Sequence, residues 1–212
     1  TNCELMNFND LNNTTPTNLN VPNTTLLDTI HVERGIIPAN LCDFIVQDTE
    51  KREWKPHTWY NSQADTYGSE ETMELDVQPC TPELQQLLTP IIIQAGAAYN
   101  QKFAYLQCER AKQIMNKFTG LRFNRYQPGQ IMRQHIDHIH SIFDGKEKGI
   151  PVLSFILNFN DDYEGADLFF WDNTTFKLGK GDIIMWPSNF LYPHGVTEAI
   201  SGKRYSGVTW AW

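Results

Sequence analysis

The chain has 212 residues, of which 41% are hydrophobic and 20% are charged, and its formal net charge at pH 7 is −8. This composition is typical of a globular domain with an adequate core. The negative charge argues against nucleic acid as a partner, because phosphate binding requires a basic surface. We expect no membrane partner and a cytoplasmic location, since no apolar run reaches the roughly 18–20 residues of a span and no signal-peptide pattern is seen.

The first 28 residues are rich in Asn and Thr and show no hydrophobic periodicity. Such a segment has too few apolar side chains to form a core. The sequence therefore predicts a flexible arm over residues 1–28 and a single domain over residues 29–212.

The next segment, "TIHVERGIIPANLCDFIVQDTEKREW", predicts a short strand, a turn and a helix. Pro38 suits the first turn of that helix, because its missing N–H would be unpaired there in any case. Helical spacing predicts that Leu41, Phe44 and Ile45 share the buried face.

Two more helices are predicted in "TPELQQLLTPIIIQAGAAYNQKF". A short helix should follow Thr81-Pro82 and a longer one should follow Thr89-Pro90. In each pair the threonine can cap the helix and the proline can open it.

From residue 121 onward, short apolar or alternating runs are separated by Gly-rich turns. The runs are "LRFNRY", "IMRQHID", "VLSFILNF", "ADLFFW", "DIIMWP" and "YSGVTWAW". Many short strands with such turns indicate a β-sandwich or jelly roll. We therefore expect an α+β fold in which N-terminal helices support a jelly-roll core over about 121–212.

The run "HIDHIH" contains the first candidate metal ligands, His135 and Asp137. Residues two apart on a strand point to the same face, so these two side chains could reach one ion. His138 and His140 would lie on the opposite face, and we interpret them as loop or surface residues.

Two later residues complete a constellation: His194 in "YPHGV" and Arg204 in "GKRYS". Two histidines and one carboxylate form a facial triad, which leaves three coordination positions open, as in non-haem Fe(II) oxygenases. An arginine nearby can hold the far carboxylate of 2-oxoglutarate through two hydrogen bonds. Ser206 faces the same way as Arg204 and could donate a third.

With these residues the chain resembles the 2-oxoglutarate- and Fe(II)-dependent oxygenases, on the prolyl 4-hydroxylase-like branch and closest to small microbial or phage-borne members. The resemblance is carried by "FNRYQPGQIMRQHID", "PVLSFILNFNDDYEGADLFFW" and "LGKGDIIMWPSNFLYPHGVTEAISGKRYSGVTWAW". It implies a double-stranded β-helix in which His135, Asp137 and His194 bind Fe(II). It also implies that Arg204 binds the distal carboxylate of 2-oxoglutarate and that Tyr126 contacts the same cosubstrate.

Three further positions can be compared with the family pattern. Trp210 falls where the family commonly has a tryptophan behind the site. Gly165-Ala166-Asp167 stands where the family often has Gly-Gly-Glu, a change expected to affect the strand edge near the site. Phe155 stands where some prolyl hydroxylases have a cosubstrate-binding tyrosine, so that contact is not expected here.

The resemblance implies hydroxylation of an unactivated C–H bond, with conversion of 2-oxoglutarate and O₂ to succinate and CO₂ and with ascorbate in support. It favours a prolyl residue of a peptide or protein as substrate, while a free amino acid or another small molecule stays open. A non-catalytic jelly-roll binding module is a second hypothesis. A zinc hydrolase is a third, although the chain lacks the usual HxHxDH order and Arg204 would then have no role.

Overall fold

The computed structural model describes residues 24–61, 66–68, 74–104, 115, 117–137, 151–171 and 174–211. The predicted arm falls outside these residues as far as residue 23, and His138 and His140 also fall outside them. No helix in the described ranges has the length and apolar character needed to cross a bilayer.

The described residues form two helices and fifteen strands, preceded by one 3₁₀ turn at Leu27–Thr29. In chain order they are β1 (His31–Glu33), α1 (Ala39–Thr49), β2 (Lys55–Pro56), β3 (Trp59–Asn61), β4 (Thr66–Gly68), β5 (Asp76–Pro79), α2 (Pro82–Lys102), β6 (Arg122–Tyr126), β7 (Met132–His135), β8 (Leu153–Asn158), β9 (Glu164–Gly165), β10 (Leu168–Phe170), β11 (Thr174–Phe176), β12 (Ile183–Pro187), β13 (His194–Val196), β14 (Ala199–Ser201) and β15 (Arg204–Ala211).

Two sheets make up the body of the fold. The larger has seven strands in the order β1-β12-β8-β15-β6-β5-β2, and the smaller has four in the order β11-β10-β13-β7. Neighbouring strands in both sheets pair antiparallel, and the order is far from sequential, as in a jelly roll. The predicted α+β jelly roll with supporting helices is therefore confirmed.

Buried side chains form two cores, one on each face of the larger sheet. The outer core lies between that sheet and the helices, and the inner core lies between the two sheets. Strand β8 contributes to both cores: Leu153, Phe155 and Leu157 belong to the outer core, whereas Ile156 belongs to the inner one. This follows from strand alternation, which sends successive side chains to opposite faces.

The buried face of α1 differs in part from the predicted one. Cys42 and Ile45 are fully buried, but Phe44 is 51% exposed. Phe44 is adjacent to Ile45 in sequence and so lies about 100° around the helix from it, away from the sheet. Pro38 immediately precedes the helix rather than lying in its first turn.

Helix α2 is one continuous helix, so the predicted division at Thr89-Pro90 is wrong. Thr81 caps its start as predicted, since its hydroxyl oxygen accepts a hydrogen bond from the Leu84 N–H at 3.3 Å. An unbroken buried stripe (Leu84, Leu88, Ile92, Ala95 and Tyr99) follows this helix across Pro90. Burial of that stripe against the sheet outweighs the hydrogen bond that an internal proline removes.

We expect Pro90→Ala to raise the free energy of unfolding by about 1–2 kcal/mol in chemical denaturation. Pro90 is exposed, so no packing is lost, and alanine restores an N–H to the helix interior, while the freer unfolded chain offsets part of the gain. Pro82→Ala is the control, because proline at the first helical position removes no hydrogen bond. An equal gain at Pro82, or none at Pro90, would contradict the prediction.

Candidate functional site

The two histidines of the predicted triad lie side by side on paired strands. His135 is the last residue of β7, His194 is the first residue of β13, and the two are direct partners in the antiparallel pairing. Their ring centroids are 4.4 Å apart. The pairing of these strands therefore brings together residues that are far apart in sequence.

Asp137 meets both rings, although it lies in a bend beyond the end of β7 rather than on the strand. Its Oδ1 is 3.6 Å from the Nε2 of His135 and 3.6 Å from the Nε2 of His194. One ligand atom from each residue lies within 4.8 Å of those of the other two. This spacing suits a single metal ion held by three protein atoms.

The backbone fixes which nitrogen of each histidine faces the site. The Nδ1 of His135 is 2.8 Å from the carbonyl oxygen of Arg133, and the Nδ1 of His194 is 2.9 Å from that of Tyr192. A carbonyl oxygen can only accept, so each Nδ1 carries the proton and donates. Each Nε2 then directs a lone pair toward Asp137, which is the tautomer that a metal ligand requires.

The second oxygen of Asp137, Oδ2, accepts a hydrogen bond from the hydroxyl of Ser154, whose oxygen is 2.6 Å from that of Ser188. Burial alone would raise the pKa of Asp137, but His194, His135 and the Ser154 hydroxyl outweigh it and lower that pKa. Burial, together with the nearby His194, lowers the pKa of His135 to about 4. At neutral pH the site therefore contains a carboxylate and a neutral imidazole at His135, the forms that bind a cation.

Gly195 allows β13 and β7 to approach closely beside the two histidines. A Cβ at this position would lie 2.7 Å from the carbonyl oxygen of Met132 and 2.7 Å from the ring of Phe169. The pairing of β13 with β7 is irregular between His194 and Val196. Only glycine fits this close approach without displacing a neighbour.

Arg204 is buried at the start of β15, with 1% of its surface exposed. Its Nε donates to Oδ1 of Asn158 at 2.9 Å and its Nη1 donates to the carbonyl oxygen of Ala166 at 2.8 Å. Its Nη2 is also buried and has no hydrogen-bond partner, and no carboxylate of the described residues pairs with it. A buried guanidinium with one open donor has the charge and the free N–H groups needed to hold an anion.

Tyr126 lies directly opposite Arg204 in the pairing of β6 with β15. The guanidinium carbon of Arg204 is 5.7 Å from the centroid of the Tyr126 ring. Burial raises the pKa of Tyr126 to about 12, so its hydroxyl keeps its proton and can donate to an anion. Ser206 is buried two residues beyond Arg204, on the same face of β15.

A narrow cavity inside the jelly roll contains the candidate metal ligands. The residues that line it and enter the argument are Arg122, Tyr126, His135, Asp137, His194 and Trp210. Trp210 is thus placed at the site, where the resemblance put it. The sequence reasoning missed Arg122, Ser154 and Asn158, although alternation in "RFNRY" puts Arg122 on the same face as Tyr126.

Phe155 does not lie near the cavity, so it does not occupy the position of a cosubstrate-binding tyrosine. It belongs to the outer core and its ring packs edge-on against Phe118, with centroids 5.6 Å apart. The side chains of β8 that point inward are Ser154, Ile156 and Asn158, because successive side chains of a strand point to opposite faces and Phe155 points outward.

The Gly165-Ala166 dipeptide lies at the strand edge beside the site and helps to position Arg204. Gly165 has φ +71°, and a Cβ there would lie 2.1 Å from the carbonyl oxygen of Glu198. Ala166 also has a positive φ, +50°, which is uncommon for a non-glycine residue. This conformation accompanies the hydrogen bond from Arg204 to the Ala166 carbonyl.

Comparison with known proteins agrees with this geometry. The family model of the 2OG-Fe(II) oxygenase superfamily matches residues 121–212. A PKHD-type hydroxylase of Shewanella sp. strain MR-7 is 35% identical over 92 residues, which are 42% of this chain and 40% of the relative. A PKHD-type hydroxylase of Idiomarina loihiensis is 33% identical over 106 residues, 48% of this chain and 44% of the relative. The chain thus spans less than half the length of these curated relatives.

Solved structures show the same fold. A prolyl-4-hydroxylase of Pseudomonas putida superposes with a TM-score of 0.59 at 18% identity, over 86% of this chain and 91% of that one. A viral collagen prolyl hydroxylase of Paramecium Bursaria Chlorella virus-1 gives a TM-score of 0.59 at 15% identity, over 86% of this chain and 94% of that one.

The family model of the 2OG-Fe(II) oxygenase superfamily thus matches the part of the chain that holds the candidate metal ligands His135, Asp137 and His194. The two curated relatives are named PKHD-type hydroxylases, and the two solved structures that share the fold are prolyl hydroxylases.

Gly195→Ala should lower the free energy of unfolding by about 1–3 kcal/mol, because the added methyl group clashes with backbone and ring atoms. Metal binding should weaken as well, since β13 and β7 would be pushed apart at the histidines. Gly120→Ala is the control, because a Cβ there meets nothing within 4 Å. Denaturation and metal titration of both variants test this, and equal stability of the two variants would contradict it.

Ser154→Ala should weaken metal affinity by about 10–100-fold, the usual effect of losing a hydrogen bond that orients a ligand. Ser188→Ala should have a smaller effect, because the bond from Ser154 to Asp137 is retained. Competition titration of Mn(II) against a chelator measures both. Equal losses in the two variants would show that the Ser154 hydroxyl does not act through Asp137.

Proposed function

We propose that the protein is an Fe(II)- and 2-oxoglutarate-dependent dioxygenase that hydroxylates an unactivated C–H bond, and that its substrate is a prolyl residue of a peptide or protein. One observation carries the proposal. Two histidines and a carboxylate converge in a cavity, and Tyr126, which lines that cavity, lies against a buried arginine with an open donor.

The Nε2 atoms of His135 and His194 and the Oδ1 of Asp137 would hold the iron. Three ligands on one side of an ion leave the remaining positions to the cosubstrate and O₂. Iron, 2-oxoglutarate and O₂ together supply the oxidising power to hydroxylate a C–H bond, with release of succinate and CO₂, and ascorbate would support turnover. The carboxylate in the triad distinguishes this site from the related halogenases, which have a small residue there.

Arg204 would hold the distal carboxylate of 2-oxoglutarate through its Nη2. Asn158 and Ala166 already fix the guanidinium, so little side-chain entropy is lost on binding. The Tyr126 hydroxyl would donate a further hydrogen bond, and Ser206 is positioned on the same face to add another. The inner core around these residues excludes water and strengthens each of these bonds.

Two relationships support the prolyl substrate. The curated relatives are named PKHD-type hydroxylases. A prolyl hydroxylase of Trichoplax adhaerens, solved with a hypoxia inducible factor peptide fragment, superposes with a TM-score of 0.59 at 12% identity, over 87% of this chain and 83% of that one. Met132 and Trp210, which line the cavity, offer an apolar surface against which a prolyl ring could pack.

The cosubstrate assignment predicts distinct kinetics for two variants in a succinate-release assay with Fe(II), ascorbate and 2-oxoglutarate. Asp137→Ala should abolish turnover. Arg204→Gln should raise the KM for 2-oxoglutarate by at least about 30-fold, because a buried charge pair is lost. Lys203→Gln is the control, since Lys203 is adjacent in sequence but pairs with Glu50 at the surface. An unchanged KM in Arg204→Gln would refute the assigned role.

The substrate assignment is tested by mass spectrometry of proline-containing peptides after incubation with the enzyme, Fe(II), ascorbate and 2-oxoglutarate. We expect a gain equal to the mass of one oxygen atom on a prolyl residue. A gain on free amino acids but not on peptides would instead support a small-molecule hydroxylase. Absence of thermal stabilisation by Fe(II) and 2-oxoglutarate would support a binding module.

A further inference from the structure

A second arginine, Arg122, lines the same cavity as the candidate metal ligands. Its Nε donates to Oδ1 of Asn124 at 3.1 Å, and its guanidinium carbon is 5.9 Å from the centroid of the Trp210 ring. No carboxylate of the described chain forms an ion pair with it. The two terminal amino groups of Arg122 are therefore available to a ligand, while the bond from Nε to Asn124 and the cation–π contact with Trp210 hold the guanidinium in place.

Arg122 is too far from Arg204 to share one small diacid with it. In the pairing of β6 with β15, Arg204 is opposite Tyr126, whereas Arg122 is opposite Val208. Four residues of strand separate the two levels, roughly 13 Å. The guanidinium of Arg122 also lies toward Trp210, which is further along β15 from Arg204. One small diacid therefore cannot bridge the two arginines.

The charge of the occupied site leads to the same conclusion. With the proposed ligands, the charges of Fe(II), Asp137, 2-oxoglutarate and Arg204 cancel. Arg122 then contributes one positive charge that nothing compensates. Its burial already lowers its pKa. A partly buried charge is costly unless an opposite charge pairs with it. The missing negative charge has to come from a molecule that binds beside the metal.

We propose that Arg122 binds a carboxylate of the primary substrate and so selects an acidic substrate. The proposal rests on the proposed function, because it assigns the substrate of the same site. The carboxylate has two possible sources, the α-carboxylate of an amino acid derivative or the side chain of an acidic residue next to the target residue in a peptide. A planar guanidinium can bind either through two parallel hydrogen bonds.

The test compares charged and neutral probes of the same shape. N-acetylproline is paired with N-acetylprolinamide, and the blocked peptide Ala-Pro-Asp is paired with Ala-Pro-Asn. Calorimetry measures binding to protein loaded with Mn(II) and 2-oxoglutarate in the absence of O₂. We expect the wild type to prefer the charged member of one pair by about tenfold or more, and the pair that shows the preference identifies the source of the carboxylate.

Arg122→Gln should abolish this preference without changing the affinity for the neutral probe, and Arg122→Lys should retain part of it. Arg125→Gln is the matched control, because Arg125 lies on the same strand but on its outer face, paired with Asp76 and Glu50. Its preference should equal that of the wild type. Thermal melts of each variant establish that the compared proteins are folded.

Thermal stabilisation by 2-oxoglutarate separates this inference from the proposed function. If Arg122 acts on the substrate alone, that stabilisation should be unchanged in Arg122→Gln. A wild type that shows no preference in either pair would overturn the inference, as would loss of 2-oxoglutarate stabilisation in Arg122→Gln. Loss of that stabilisation in the wild type itself would instead overturn the proposed function.

Discussion

The antiparallel register of β7 and β13 is the constraint on which the rest of the site depends. It sets His135 directly opposite His194. The two strands can approach this closely only because Gly195 has no side chain. Each imidazole is then oriented by the carbonyl two residues before it, a bond that the backbone supplies. With both rings fixed, Asp137 is the remaining adjustable member of the triad, and the Ser154 hydroxyl restrains it.

The second property that organises the site is the positive charge of two arginine side chains. Arg204 and Arg122 are both drawn into the inner part of the jelly roll, and no carboxylate of the described residues pairs with either one. Burial of such charges is unfavourable on its own. Under the proposed function, ligand binding offsets this cost, so that binding energy and folding stability are linked at this site. Other arginines behave differently: Arg125, on the outer face of β6, has two acidic partners.

Sequence reasoning reached the class of fold and the members of the candidate site because both depend on local pattern and spacing. Short alternating runs predicted the strands, and His135, Asp137, His194 and Arg204 were selected by their order along the chain; their roles as ligands stay predictions. Register could not be read in the same way, since the pairing of His135 with His194 joins residues nearly sixty positions apart.

Errors arose where tertiary packing decides between local alternatives. A Thr-Pro pair can open a helix or lie within one, and the buried stripe of α2 selected the second. The sequence does not reveal which residues of β8 point inward, because this strand is buried on both sides. Ser154 and Asn158 were missed for the same reason, although they are the polar members of that strand.

Under the proposed function, strand β8 also determines which diacid fits the site. Ser154 restrains Asp137 near one end of the strand, and Asn158 restrains Arg204 at the other. The distance between the candidate metal ligands and Arg204 is therefore set by the four residues of β8 that separate Ser154 from Asn158. The outer face of that strand packs in the same core as α2, and a Cβ added at Gly96 of α2 would lie 3.5 Å from the Phe155 ring. Under the proposed function, the length of the cosubstrate is thus set by the sheet itself and does not depend on the residues that contact the primary substrate.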